Sequence, residues 1–234
     1  AGPAARARLT GAGGIMAQHD GKIFGIGFYK TGTTTLYDAL RTLGYHTVNG
    51  DKPGSYPGAD DGATMIQQVD AGDFRLPTFE MFDAFTDNPY FRIWREIYAL
   101  YPDARYILTV RDEDAWIASC VKFFRHRRIR PMRVWIFGPH ANPARDAASR
   151  QAWLDAYRAH NAAVRAHFAS RPQQFLEFDP TRETSWRRLC EFLGAPVPDD
   201  QPWPHANPTK LDAPWRPLWR KLRRRLGLEA SAPE

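Results

Sequence analysis

Cysteine is scarce in this 234-residue sequence, and long apolar runs are absent. The two cysteines, Cys120 and Cys190, are too few for a disulfide framework or a metal site, which favours a reducing, cytoplasmic setting. No stretch reaches the roughly 20 apolar residues that a membrane-spanning helix needs. Residues 1–20 also lack the apolar core of a secretory signal, and we expect them to form a disordered extension. These absences argue against a disulfide-rich secreted protein and against an integral membrane protein.

Lysine is also scarce, so arginine supplies most of the positive charge behind a formal net charge of +6. The six lysines are Lys22, Lys30, Lys52, Lys122, Lys210 and Lys221. Arginine favours planar, bidentate contacts with phosphate or carboxylate groups, although a solvated basic surface explains such a composition equally well. No nucleic-acid reader motif accompanies these arginines, so we do not expect a nucleic-acid partner.

Buried strands alternate with amphipathic helices along the chain. The predicted strands are residues 22–28, 106–110 and 174–178. The predicted helices are residues 33–43, 90–100, 114–124, 149–169 and 185–192. We interpret residues 125–143 as an exposed basic flap. The alternation predicts an α/β fold with a parallel sheet flanked by helices, in a domain of residues 21–212 that is followed by a basic amphipathic helix and tail at 213–234.

The stretch FGIGFYKTGTTTLYDAL combines an apolar strand, a glycine-rich turn and a helix start. Gly27 and Gly32 have the GxxxxG spacing of a Walker A loop, but Lys30 lies inside the loop instead of after the second glycine. A dinucleotide-binding fingerprint would need glycine at position 30. Backbone N–H groups at a helix start bind anions, and a lysine and threonine hydroxyls add donors. The stretch therefore predicts an anion site, and the alternative is a plain strand–helix turn with Thr34 or Thr35 as its N-cap.

A second motif occurs in ILTVRDEDAWIAS, where Arg111 ends a buried strand and Ser119 follows eight residues later. FYKTGTTTL resembles the 5′-phosphosulfate loop of P-loop sulfotransferases, and ILTVRDEDAWIAS resembles the second half of that family's signature, with Trp116 in the expected place. The resemblance extends over residues 22–210 and is closest to the short sulfotransferase-like proteins. It implies the three-layer P-loop-type sulfotransferase architecture. It also implies the donor 3′-phosphoadenosine 5′-phosphosulfate (PAPS), the product adenosine 3′,5′-bisphosphate (PAP), and no metal.

The resemblance assigns roles to individual residues. Those that would hold the 5′-phosphosulfate are Lys30, Thr31, Gly32, Thr33 and Thr34, with Thr35 capping the same helix. Arg111 and Ser119 would bind the 3′-phosphate, which distinguishes PAPS from ATP. Lys30 would stabilise charge on the bridging oxygen during in-line transfer of a sulfuryl group to a hydroxyl or amine of a small-molecule acceptor. Glu113 stands where the family usually has proline.

A hydroxyl acceptor also needs a general base. Many sulfotransferases use the histidine of a Thr-His-x-Pro segment before the second motif, and this chain has TDNP with Asp87 in the histidine position. A carboxylate can do the same work. The alternative is that Asp87 caps a helix beginning near Pro89. Glu80, Asp83 and His46 are reserve candidates for the base.

Two other function classes stay open. A nucleotide kinase or other NTPase is one, although no lysine follows Gly32 and Arg111 separates Asp112 from the strand. A non-catalytic basic module that binds a membrane or a partner is the other. Residues 215–228 carry a basic amphipathic pattern typical of a helix in peripheral membrane contact, and equally typical of a helix packed on a protein surface. The sequence indicates nothing about the oligomeric state.

Overall fold

A five-stranded parallel sheet forms the middle layer of the fold within the part of the chain that the structure describes. The computed structural model describes residues 21–50, 56–60 and 62–204, which belong to a compact unit ending at Pro204. The strands are β1 (Ile23–Gly25), β2 (Thr47–Asn49), β3 (Ala84–Thr86), β4 (Arg105–Thr109) and β5 (Phe175–Phe178). Their spatial order is β2-β3-β1-β4-β5, and each neighbouring pair is parallel. The strand β1 therefore lies in the centre, with β3 on one side and β4 on the other.

Helices cover both faces of this sheet. They are α1 (Thr33–Thr42), α2 (Ala63–Asp70), α3 (Thr78–Met81), α4 (Trp94–Leu100), α5 (Glu113–Phe124), α6 (Pro131–Phe137), α7 (Ala147–Phe168) and α8 (Arg187–Leu193), and a short 3₁₀ helix spans Gly138–His140. Successive residues of a strand point to opposite faces and so supply different cores. In β4, Ile107 belongs to a buried cluster with Leu36 of α1, whereas Tyr106 belongs to one with Ile97 of α4 and Phe168 of α7. The helix–sheet–helix layering confirms the predicted α/β class.

The sequence pattern predicts three of the strands, β1, β4 and β5, but it misses β2 and β3. Both missed strands have only three residues, which is too short to show an alternation or an apolar run. Their strand conformation depends on pairing, because Ala84 of β3 lies opposite both Ile23 of β1 and Thr47 of β2.

The helix predicted over residues 90–100 begins later, at Trp94, with Ile93 as its N-cap. Turns occupy the preceding residues, after a cis peptide bond between Asn88 and Pro89. Asp87 is therefore not a helix cap, and that alternative interpretation is wrong.

The predicted flap is exposed only in its first half. Residues 125–130 are all exposed. After them α6 packs onto the protein and buries Met132, Arg133 and Phe137. The Arg133 guanidinium donates to the carbonyl oxygens of Arg128 and Ala141, so it closes this part of the chain on itself. The prediction of a wholly exposed flap is wrong because the arginines alternate with apolar residues that reach the core.

Some sequence predictions fall outside the described residues. They are the extension at residues 1–20, the basic helix and tail at 213–234, and the membrane contact through 215–228. Along the described ranges, no helix combines the length and the apolar character needed to cross a membrane.

Candidate functional site

The predicted site residues meet at the carboxyl edge of the sheet. The glycine-rich loop follows β1, Asp87 follows β3 directly, and Arg111 comes two residues after β4. Because β3 and β4 flank β1, the two side chains lie on either side of the loop. In open parallel sheets, crevices at this edge are the usual place for ligands.

The loop between β1 and α1 can only be built with glycine at two positions. Gly32 is the N-cap of α1 and has a left-handed backbone with φ of 94°, and a Cβ on it would collide with the ring of Pro180. A Cβ on Gly27 would collide with Thr109 at the end of β4. The loop is therefore closely packed against the end of β4 and against the residues that follow β5.

The helix α1 begins without a side-chain cap. Gly32 offers none, and the first turn consists of Thr33, Thr34 and Thr35. The prediction that Thr35 caps this helix is wrong, because Thr35 already lies inside it. The first N–H groups of a helix have no partner within the helix, so α1 presents donors and the positive end of its dipole at the loop.

Thr31 serves the loop itself. Its side chain is fully buried, and its hydroxyl donates to the carbonyl oxygen of Phe28 at 2.6 Å and shares a hydrogen bond of 2.7 Å with the hydroxyl of Thr109. The side chain is thus committed to holding the loop on β4, which leaves the Thr31 backbone for the predicted contact with an anion.

Lys30 and Asp87 share an uncommon backbone conformation. Their φ angles are 64° and 73°, and they are the two non-glycine residues with positive φ among residues 21–50, 56–60 and 62–204. Such conformations are uncommon for residues other than glycine and are concentrated at functional sites. Both predicted catalytic residues therefore occupy strained positions at the same edge of the sheet.

The surroundings of Lys30 lower the pKa of its ammonium group. Burial lowers the pKa of its ammonium group, and the positive charges of Arg111 and Arg127 act in the same direction, whereas the charge of Asp87 opposes them. Asp87 is nearly buried, with 8% of its surface exposed, and its Oδ1 accepts a hydrogen bond of 2.9 Å from the N–H of Asn88. The charge of Asp87 is thus close enough to affect the pKa of the Lys30 ammonium group.

Arg111 joins the second motif to the loop. Its guanidinium lies 3.5 Å from the carbonyl oxygen of Lys30 and donates to it. Its backbone N–H donates to the hydroxyl of Tyr157 at 2.9 Å, and that hydroxyl donates to the Arg111 carbonyl oxygen at 2.8 Å. The ring of Tyr157 stacks on Trp116 at 4.2 Å, and the Trp116 indole N–H donates to the carbonyl oxygen of Tyr29 at 2.6 Å. The two motifs are thus connected directly and through a pair of buried aromatic residues.

The start of α5 accounts for the acidic residues after Arg111. Asp112 is the N-cap of α5 and accepts from the N–H of Ala115 at 3.0 Å. Glu113 forms a surface ion pair with Arg158 at 2.7 Å. Ser119 lies further along α5, half-buried, and no hydrogen bond joins it to Arg111 within the described ranges.

The reserve candidates for the base lie elsewhere. Asp83 directly precedes β3 and accepts from the backbone N–H of His46, which directly precedes β2. Both residues are therefore at the amino edge of the sheet, opposite Asp87. Glu80 is exposed on α3, which leads into that same edge. The structure removes all three from the site.

A sequence model of a family described as a sulfotransferase domain matches residues 22–211. The chain belongs to the sulfotransferase domain family. A relative, the "Ava biosynthesis cluster protein M" of Aspergillus versicolor, is 27% identical over 218 residues, which cover 79% of this chain and 80% of that protein. The match confirms the family resemblance carried by the two motifs.

A polar cavity of about 440 Å³ opens beside Arg111 in this sulfotransferase domain. Its lining includes Tyr157, Asn161, Asp179 and Arg182. Asn161 is buried, and its Oδ1 has no hydrogen-bond partner in the described part of the chain. A buried acceptor without a partner is costly. Within the same ranges, no group of three or more histidine, cysteine, aspartate or glutamate side chains is arranged to hold a metal ion.

The two sequence motifs do not include two supporting residues of the candidate site. Tyr157 holds Arg111, and the ring of His160 is hydrogen-bonded to the carbonyl oxygen of Ile26 at 2.7 Å, just before the loop. Burial lowers the pKa of His160 to about 4, so the ring is neutral and donates to that carbonyl at neutral pH. Both lie on α7, three residues apart, which puts them on one face of the helix. That spacing within AYRAHNAAV is the sequence signal that could have identified them.

Proposed function

We propose that this sulfotransferase domain transfers a sulfuryl group from PAPS to a hydroxyl or amine of a small-molecule acceptor and releases PAP. The observation that carries the proposal is the meeting of the two motifs, in which the Arg111 guanidinium reaches the Lys30 carbonyl oxygen at 3.5 Å. A loop that suits one anion and an arginine that suits a second anion are thereby held side by side.

The loop fits the 5′ end of PAPS. The helix α1 has no side-chain cap, so its first N–H groups suit the oxygens of an anion. Lys30 adds a full positive charge, and the threonines at positions 33 and 34 add hydroxyl donors. The residues that would hold the 5′-phosphosulfate are Lys30, Thr31, Gly32, Thr33 and Thr34, with Thr35 in the same turn.

The surroundings of Arg111 fit the 3′ end. A guanidinium forms paired, charge-assisted hydrogen bonds with a phosphate, and the backbone of Arg111 is fixed by Tyr157. Ser119 on α5 supplies a hydroxyl for the same phosphate. The cavity of about 440 Å³ beside Arg111 is large enough for a nucleoside, and polar side chains such as Asn161 line it.

The chemistry divides between two residues. PAPS, when bound, supplies an activated sulfuryl group, whose bond to the 5′-phosphate oxygen breaks as a bond to the acceptor oxygen forms. Lys30 donates to the charge that grows on the bridging oxygen, and this interaction is stronger in the transition state than in the ground state. Asp87 accepts the proton that the acceptor hydroxyl loses. Lys30 lies in the loop and Asp87 lies beside it, at the end of the neighbouring strand β3, which suits these opposite tasks.

Two further observations support this assignment over the alternatives. Asp112, which a metal-dependent NTPase would need as a ligand, is engaged as the N-cap of α5. The relative from Aspergillus versicolor is named as a protein of a biosynthesis cluster, which fits a small-molecule acceptor.

Calorimetry with PAP and with ADP tests the proposal. We expect the wild-type protein to prefer PAP by about 10- to 100-fold, because a charge-assisted contact with the 3′-phosphate contributes on the order of 1.5–3 kcal/mol. Arg111→Ala should remove this preference, whereas Arg150→Ala, an exposed position on α7, should keep it. Equal affinity of the wild type for both ligands would contradict the proposal. Tight, magnesium-dependent ATP binding without preference for PAP would point to a kinase.

A further inference from the structure

The ring of Phe123 connects the transfer site to the basic segment, residues 125–130. The Nζ atom of Lys30 lies 4.1 Å from the centroid of this ring, and the Cζ atom of Arg127 lies 3.9 Å from the same centroid. Cations over an aromatic ring are attracted by its quadrupole, and the attraction holds both in place. An exposed arginine is therefore fixed close to the ammonium group that serves the transferred group.

The basic segment concentrates positive charge in a part of the sequence that has no acidic residues. It contains four arginines and a histidine in RHRRIR, and all six residues are exposed. No aspartate or glutamate occurs between Asp114 and Asp146. Like charges held together raise each other's free energy, so this segment gains when an anion binds.

Apolar surface accompanies this charge. Three of the five large hydrophobic residues that are exposed in the described part of the chain are Phe123, Ile129 and Val134, with 37%, 45% and 49% of their surfaces exposed. They fall within a stretch of twelve residues that also contains the basic segment. Apolar groups and cations thus alternate along this exposed stretch, which begins at the ring that Lys30 contacts.

We propose that the acceptor is an amphipathic anion: a hydroxyl compound whose apolar body packs against the exposed part of Phe123 and whose carboxylate or similar group pairs with Arg127. The inference rests on the proposed function, since it names the substrate class of that site. A neutral acceptor would leave Arg127 beside Lys30 with its repulsion unrelieved, whereas an anionic acceptor offsets it. The anion also anchors the acceptor at one end, so that its hydroxyl is oriented towards the transferred group.

Arg127 has a second conceivable task, which is to bind the sulfuryl donor itself. The two tasks differ in what the loss of the arginine weakens. An arginine that serves the donor would affect binding of the nucleotide, whereas an arginine that serves the acceptor would leave it unchanged. The exposure of Arg127 and its place in the basic segment, beyond the two nucleotide motifs, favour the acceptor.

Fluorescence titration with a matched pair of probes tests the inference. The probes are 6-hydroxy-2-naphthoate, which is an apolar hydroxyl compound with a carboxylate, and its neutral methyl ester, each added to the full-length protein saturated with PAP. We expect the anion to bind about tenfold more tightly than the ester, and this preference to fall as salt is added. Arg127→Ala should abolish the preference and leave the ester's affinity unchanged. Arg125→Ala, in the same exposed segment, should keep the preference, and Phe123→Ala should weaken both probes.

Several results would overturn the inference. They are equal binding of the two probes by the wild type, no saturable binding of the naphthoate at millimolar concentration, and an equal effect of Arg125→Ala and Arg127→Ala. A loss of PAP affinity in Arg127→Ala as large as the loss of naphthoate affinity would assign the arginine to the donor instead. The comparison of PAP with ADP reports on the proposed function separately, so either idea can fail while the other stands.

Discussion

The hydroxyl of Tyr157 exchanges two hydrogen bonds with the backbone of Arg111, accepting from its N–H at 2.9 Å and donating to its carbonyl oxygen at 2.8 Å. The two residues are 46 positions apart in sequence. Because the Tyr157 ring also stacks on Trp116, which donates to the loop at Tyr29, the hydroxyl fixes Arg111 relative to the loop. Tyr157 is thus a positioning residue for the proposed 3′-phosphate contact.

Tyr157→Phe should lower the affinity for PAP by about tenfold while changing the affinity for ADP by less than about twofold. The phenyl ring preserves the stack on Trp116, so the substitution removes only the hydroxyl that holds Arg111. Calorimetry with both nucleotides measures the ratio. Tyr37→Phe, on the outer part of α1, is the matched control. Equal weakening of PAP and ADP would mean that Tyr157 stabilises the fold without positioning Arg111.

Lys30→Ala should reduce kcat by about 10²–10³-fold while weakening PAP much less, because the proposed contact strengthens in the transition state. Rates with radiolabelled PAPS and calorimetry with PAP give the two numbers. Lys122→Ala, an exposed lysine on α5, should behave like the wild type. An unchanged rate in Lys30→Ala would contradict the assigned role.

The charge of Lys30 also predicts a pH dependence. Burial lowers the pKa of this ammonium group from its ordinary 10.5, so the charged form is lost at a lower pH than for an exposed lysine. We expect kcat to decline in alkaline solution at a pH below 10.5, because the donor to the bridging oxygen is then deprotonated. In Lys30→Arg the residual rate should lose this alkaline decline, because a guanidinium stays charged. A decline of the same shape in both proteins would assign it to another group.

Asp87→Asn should lower kcat by about 10²–10⁴-fold with nearly unchanged affinity for PAP. Asparagine adopts the left-handed backbone that Asp87 has, with φ of 73°, so the variant tests the charge and not the backbone. Asp83→Asn, at the opposite edge of the sheet, is the control and should retain turnover. If the control loses activity and Asp87→Asn keeps it, the base has been assigned to the wrong carboxylate.

His160 predicts a loss of stability in acid. Its pKa is lowered by burial from 6.5 to about 4, so between these values the unfolded chain binds a proton that the folded protein does not. The stability that the neutral ring contributes is therefore complete above about pH 6.5 and decreases as the pH falls towards about 4, by at most on the order of 3 kcal/mol. Urea unfolding across this range should show the decrease in the wild type. His160→Gln should show less of it, and His126→Gln, on the exposed segment, should show all of it.

The parts of the fold that the sequence predicts are those with a local signal. The strand β4 is a run of apolar residues, and the loop of Gly27 and Gly32 has a characteristic spacing. The short strands β2 and β3 carry no such signal, because pairing with neighbours decides their conformation. The start of α4 was placed four residues too early, since the apolar residues at 90–93 are buried in turns and not on a helix.

The site shows the same division. Lys30, Asp87 and Arg111 can be named from motifs, and the topology brings them to one edge because each follows a parallel strand. The spacing of Tyr157 and His160 indicates a shared helix face, but it does not reveal their partners, which lie 46 and 134 residues away. A motif can also suggest a ligand contact that the fold does not leave available. The Thr31 hydroxyl belongs to the loop motif, but it is hydrogen-bonded to Phe28 and Thr109 within the protein.

The close packing of Gly27 on Thr109 fixes how near the loop after β1 lies to the end of β4. A methyl group at Gly27 would strike Thr109, and the Thr31 and Thr109 hydroxyls share a hydrogen bond of 2.7 Å, so the loop after β1 is closely packed against the end of β4. The loop would receive the 5′ end of the nucleotide, and the residue two positions beyond β4 would receive its 3′-phosphate. The proposed contacts for the two ends of the nucleotide thus follow two neighbouring strands, whose backbones lie about 4.8 Å apart.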